Sequence, residues 1–111
     1  MSSIKIEIII PIYYNDKTPI EDENFNLIYD TIKEKFSGVN VEVSNIKSQW
    51  LDQTTKKYIR DVNRRLWVIC EDTEQNRNYF KSLKDPIEKI LRQKEILMFI
   101  TPIELIGHIN S

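Results

Sequence analysis

The acidic residue best placed for chemistry is Asp16, in the run Tyr13-Tyr14-Asn15-Asp16 that directly follows an isoleucine-rich stretch. A carboxylate at the end of a strand can hold a divalent cation if other carboxylates reach the same ion, and Asp61 and Asp72 are the candidate companions. Such a centre would hydrolyse a phosphodiester. An Asn-Asp pair after a strand also makes an ordinary turn, because both side chains hydrogen-bond nearby backbone. The turn is the favoured reading, and no metal or cofactor is assigned.

Lys56, Lys57, Arg60, Arg64 and Arg65 place cations close together in the chain, with Tyr58 and Trp67 beside them. That mixture suits phosphate or a single nucleic-acid strand. Alternation along a strand divides it, however, because Lys56, Tyr58, Arg60 and Arg64 share one side while Lys57, Asp61 and Arg65 share the other. Tyr58, Arg60 and Arg64 are therefore candidate binding residues without forming one basic cluster. The whole chain balances 16 basic against 17 acidic residues, a net charge of -1, so nucleic acid is not the expected partner. His108, the single histidine, follows Gly107 near the chain end, where nothing in sequence would hold it rigid for general-base work. With only Gly38 and Gly107 there is no glycine-rich phosphate loop, and no Ser-His-Asp, HExxH or CxxC spacing occurs.

The elements that position these residues follow from periodicity. Isoleucine at 4, 6, 8, 10 and 12 predicts a first strand, with Pro11 at its end or on an unpaired side. Phe25, Ile28, Tyr29, Ile32 and Phe36 predict a helix over 21–37, with Asp22 as N-cap and Gly38 as a left-handed stop. Val39, Val41 and Val43 open a second strand towards Trp50, which reads as a core or interface anchor. After the polar run 52–57, residues 58–70 form a third strand ending in Leu66-Trp67-Val68-Ile69-Cys70. Asp72 or Thr73 caps a second helix carrying Tyr79, Phe80, Leu83, Ile87, Ile90 and Leu91, with a kink or break expected at Asp85-Pro86. Residues 96–100 form the fourth strand.

The order βαββαβ makes this an α+β, ferredoxin-like chain, a four-stranded antiparallel sheet with two helices on one face. One domain is expected over 1–111, with its core in 4–105 and a tail from 106. The face opposite the helices is then informative. Trp67 and Ile69 in strand three and Leu97 and Phe99 in strand four fall on it, so both faces are apolar. A patch of that size suits an interface. A homodimer built by packing sheet faces is expected, with another protein partner as the second option and coverage by loops as the plain one.

Composition places the chain among ordinary globular proteins, at 41% apolar and 30% charged residues. Cys70 is the single cysteine and can form no intrachain disulfide, which fits a reducing compartment. The N-terminus alternates charge with isoleucine instead of showing a basic segment and an apolar core, and no apolar run approaches membrane-spanning length. A cytoplasmic location without membrane contact is the expectation.

Phe36-Ser37-Gly38-Val39-Asn40-Val41, then Trp50, then Arg60-Asp61 leading into Leu66-Trp67-Val68-Ile69 resembles a family of small uncharacterised bacterial proteins. That family has a Phe-Gly-Gly-x-Thr segment followed by Gly-x-Trp; here Ser37 and Asn40 stand in place of Gly and Thr, and Ser48 precedes Gln49-Trp50. The resemblance implies the ferredoxin-like fold and no particular activity. The expected function is accordingly a non-enzymatic binding or regulatory module that self-associates through its sheet, and the alternative is the metal-dependent nuclease or phosphodiesterase centred on Asp16.

Overall fold

The computed structural model describes residues 2–51 and 58–107, with the backbone alone over 43–51 and 58–62. Its elements are β1 (Ser3–Pro11), α1 (Asp22–Lys35), β2 (Val39–Leu51), β3 (Tyr58–Glu71), α2 (Glu74–Ile90) and β4 (Leu97–Ile103). The strands lie in the order β2-β3-β1-β4 with each neighbouring pair antiparallel. This is the ferredoxin-like arrangement, in which β3 pairs between the two strands that α1 connects.

The even-numbered isoleucines of β1 organise the core. Ile4, Ile6, Ile8 and Ile10 are buried in one cluster with Phe25, Ile28 and Ile32 from α1, Leu66 and Val68 from β3, and Phe80 and Ile87 from α2. One β1 face thus meets both helices, as a period of two requires. Where the helices converge, Phe36 stacks on Phe80 at 5.2 Å between ring centroids, and Tyr79 meets Phe36 edge-on at 5.6 Å. Such pairs add directional packing to the burial of apolar area.

Helix ends depart from the periodicity in instructive ways. Asp22 is the first residue of α1 and Glu21 is its N-cap, with no side-chain cap bond, because the Glu21 carboxylate bonds Tyr14 instead. At the other end Phe36 leaves in an extended conformation after its N–H bonds Ile32 O, so Gly38 is not used as a left-handed stop. Thr73 caps α2 by accepting from Asn76 N at 3.1 Å. The helix continues through Pro86 without a break. Proline there costs one backbone donor, and the tertiary packing of Phe80 and Ile87 on either side holds the helix across it.

The β2–β3 pairing runs beyond the end of β1. Pro11 pairs with Asn63, whereas the hairpin continues to Leu51 opposite Tyr58, with a register shift between Ser44 and Ser48. No helix among the described residues is long and apolar enough to cross a membrane.

Candidate functional site

Two places in the fold gather polar side chains in a way packing alone does not require: the loop after β1 and the sheet face opposite the helices. In the loop, Asp16 forms a side-chain turn. Its Oδ1 accepts from Thr18 N at 3.0 Å and from Thr18 Oγ1 at 2.5 Å. These bonds favour the charged carboxylate and hold its pKa below the usual aspartate value. Asp72 lies at the other end of β1, where its N–H bonds Ser2 O and its carboxylate pairs with Arg77 at 2.6 and 3.1 Å. The nine residues of β1 separate the two by roughly 30 Å at about 3.3 Å per residue. Asp61 pairs in backbone register with Ser48, and its side chain lies outside the described residues. Among the described residues there is no group of three or more His, Cys, Asp or Glu that could hold a metal.

The loop is tied down by Tyr14, which the sequence showed only as a neighbour of Asp16. Tyr14 is 5% exposed. Its hydroxyl donates to Glu21 Oε2 and accepts from Asn24 Nδ2 at 2.9 Å, and the Arg92 guanidinium lies 4.5 Å from its ring centroid. Donation to a carboxylate raises the tyrosine pKa and lowers that of Glu21. Arg92 adopts φ 52°, the left-handed position after α2 that glycine usually fills. Arg92 N bonds Lys89 O at 3.2 Å, and Gln93 N bonds Glu88 O at 2.9 Å, capping two of the last carbonyls of the helix. An arginine there gives up some backbone comfort and places a cation over Tyr14.

The basic residues separate as alternation requires. Arg64 lies over the Phe25 ring at 4.4 Å and pairs with Asp22 at 3.5 Å, at the helix side of the sheet. Arg65 faces the other side. Tyr58 and Arg60 sit in β3 opposite Leu51 and Gln49, with side chains outside the described residues, as is that of Trp50. Lys56, Lys57 and His108 lie wholly outside them.

The open sheet face is built in rows by strand register. Glu7 stands between Trp67 on β3 and Phe99 on β4; Lys5 stands between Ile69 and Thr101; Ile9 stands between Arg65 and Leu97. Trp67, Ile69, Leu97 and Phe99 therefore share one surface, with Leu97 61% exposed and Ile69 and Phe99 also exposed. Glu7 lies on the face of β1 turned away from the helices, yet it is only 7% exposed. Lys5 and Arg65 approach its carboxylate to 3.2 and 3.4 Å. Lys5 also lies 4.7 Å from the Trp67 ring centroid, and Trp67 Nε1 donates to Glu42 at 3.3 Å. Sequence spacing gave no sign of this cluster, because Arg65 and Glu7 meet only through the β1–β3 register.

On the helix side, a cleft of about 280 Å³ opens between α2 and β4, lined by Ile6, Phe80, Met98 and Ile100 with Lys81 and Lys84. Lys84 is held by Glu88 at 3.0 Å and Glu95 at 3.6 Å.

No protein-family model and no curated protein sequence matches the chain, so the resemblance to a small bacterial family stands on its motifs alone. Among solved structures, the chain is similar to a phage SAM lyase in complex with S-methyl-5'-thioadenosine, at 12% identity and a TM-score of 0.64, over 90% of this chain and 81% of that one. It also aligns with a de novo designed protein of ferredoxin fold at 16% identity, over 100% of this chain and 93% of that one, with a TM-score of 0.39. At such identity the phage enzyme shares the fold and nothing further follows from the likeness itself.

Proposed function

We propose that this protein is a small binding module that works as an assembly of its own copies, joined through the sheet face opposite the helices. The observation that carries this reading is the grouping of Trp67, Ile69, Leu97 and Phe99 on one open surface around the covered carboxylate of Glu7. Four strands about 4.8 Å apart and roughly 20–30 Å long present about 400–600 Å², so a contact between two copies would bury about 800–1,200 Å² in all, the size of a weak or transient interface.

The occupant best suited to that surface is a second copy. In a twofold contact the same patch meets itself, so its charges must be self-complementary. The centre of this face carries Lys5 and Arg65 against Glu7 and Glu42, two charges of each sign. Light scattering coupled to size-exclusion chromatography tests the reading: a mass of at least two chains supports it, and a single-chain mass at high micromolar concentration ends it.

Two enzymatic readings stand behind this one. A metal-dependent nuclease would use Asp16, whose Oδ1 is already engaged by Thr18, and thermal shift with divalent cations tests it directly. The likeness to the phage lyase offers S-methyl-5'-thioadenosine as a ligand to titrate by calorimetry. Saturable heat with that nucleoside would move the reading from an assembly module to a small-molecule site.

A further inference from the structure

The helix-facing side of β1 is closed, with Ile6 1% and Ile8 2% exposed. Ile100 and Met98 stand opposite them in the β1–β4 register, on the same side of the sheet, yet both are only half-buried. The core thus continues past β1 to the edge strand without a complete cover, and the cleft of about 280 Å³ between α2 and β4 is the gap. Its floor is apolar, made by Ile6, Phe80, Met98 and Ile100. A volume of this order lies at the small end of clefts that take small molecules, about 300–1,000 Å³.

The two cations at the cleft are not equivalent. Lys81 and Lys84 are three residues apart on α2 and share the helix face that borders it. Lys84 is matched by Glu88 at 3.0 Å and Glu95 at 3.6 Å. Lys81 is exposed and, among the described residues, takes part in no ion pair. One unmatched ammonium beside an apolar floor is complementary to a ligand with an apolar body and a single negative charge at one end. A phosphate would call for several donors or an arginine fork, and no arginine lines the cleft.

We propose that this cleft binds a free straight-chain carboxylate of about eight to ten carbons, with its chain against Phe80, Met98 and Ile100 and its carboxylate facing Lys81. The chain completes the cover over the β4 side of the core, and the unbranched thioether of Met98 adapts to its shape. The exposed ammonium sets the direction of the ligand and adds modestly to affinity, because water and salt screen it.

The test is a calorimetric titration at low ionic strength with hexanoate, octanoate, decanoate and dodecanoate, each kept below the concentration at which it forms micelles. Affinity should rise about fourfold per added methylene while the cleft fills, and level off beyond about ten carbons. Decanol and decyltrimethylammonium should bind more weakly than decanoate. Lys81→Glu, on an exposed side chain, should weaken decanoate about fivefold or more and leave decanol unchanged. Met98→Trp, checked by circular dichroism, should fill the cleft and abolish binding. In the unaltered chain, methyl resonances of Met98 and Ile100 should shift on titration while those of Ile69 and Leu97 stay in place, a readout that needs no variant to fold. No saturable binding of decanoate, equal affinity for decanol or the cationic chain, an unchanged Lys81→Glu, or shifts centred on Ile69 and Leu97 overturns the proposal, and none of these outcomes bears on the mass of the assembly.

Discussion

Glu7 and Arg65 lie 3.4 Å apart on the sheet face that the helices leave open, and neither atom of that approach has a hydrogen bond. The Glu7 side chain is nearly buried there, between Trp67 and Phe99 in strand register and paired with Lys5 and Arg65. This makes the open face mixed in character, apolar at Trp67, Ile69, Leu97 and Phe99 and charged at its centre.

The apolar part of that face is tested by placing charge on it. Phe99→Glu or Ile69→Lys should leave the helical circular dichroism signal in place and reduce the light-scattering mass to that of a single chain. Both positions are exposed in the isolated chain, so the substitutions do not bury a charge in the core. A mass unchanged in both variants would place any assembly elsewhere on the molecule.

Core truncations give the contrasting result. Ile8→Ala and Phe80→Ala remove side chains that are 2% exposed, and each should lower unfolding stability by about 2–5 kcal/mol in denaturant melts. Leu27→Ala, on a half-exposed side chain of α1 away from the sheet face, should stay within about 0.5 kcal/mol. A loss at Ile8 no larger than that at Leu27 would mean that the even-numbered face of β1 does not carry the core.

Acid stability has a named source in Glu88 and Glu21. Both carboxyls are held below the ordinary glutamate value of 4.5, Glu88 first by the bond from Lys84 and then by Ile96 N–H, and Glu21 first by the Tyr14 hydroxyl. A depressed folded pKa contributes stability that is present above the unfolded value and lost as pH falls through the folded one. Thermal midpoints should therefore drop as pH falls below about 4.5, and Glu88→Gln should flatten that slope while lowering stability at neutral pH. A slope identical in the variant would remove Glu88 as the cause.

Tyr14 should titrate late. Its bond to Glu21 raises the phenol above the ordinary value of 10.0, so the stability it provides is present below that value and lost as pH rises through the folded pKa. In an absorbance titration, Tyr14→Phe should remove a late-titrating phenol and loosen the loop between β1 and α1, seen as faster amide exchange at Thr18 and Ile20. The backbone bonds to watch are Tyr14 N to Thr18 O at 2.8 Å and Ile20 N to Ile12 O at 2.9 Å.

The element order, the helix-facing isoleucines of β1 and the split of Arg64 from Arg65 were all legible in the sequence. They depend on period alone: side chains two apart share a strand face and those three or four apart share a helix face, whatever the rest of the chain does. The grouping of Trp67 and Ile69 with Leu97 and Phe99 was legible for the same reason once four strands were placed in one sheet.

Tertiary structure alone decided the pairings that cross the sheet and the loops. The β1–β3 register brings Arg65 beside Glu7, and the fold of the loop brings Tyr14 to Glu21, Asn24 and Arg92, residues up to 78 positions apart in the chain. Local propensity carries no record of such distances. It also could not show that α2 would run through Pro86 or that α1 would end without using Gly38, because packing of Phe80, Ile87 and Phe36 overrides a weak local preference. Burial of Glu7 is the clearest case: a charged residue in an alternating strand reads as solvated, and only the cross-strand neighbours set by register withdraw it from water.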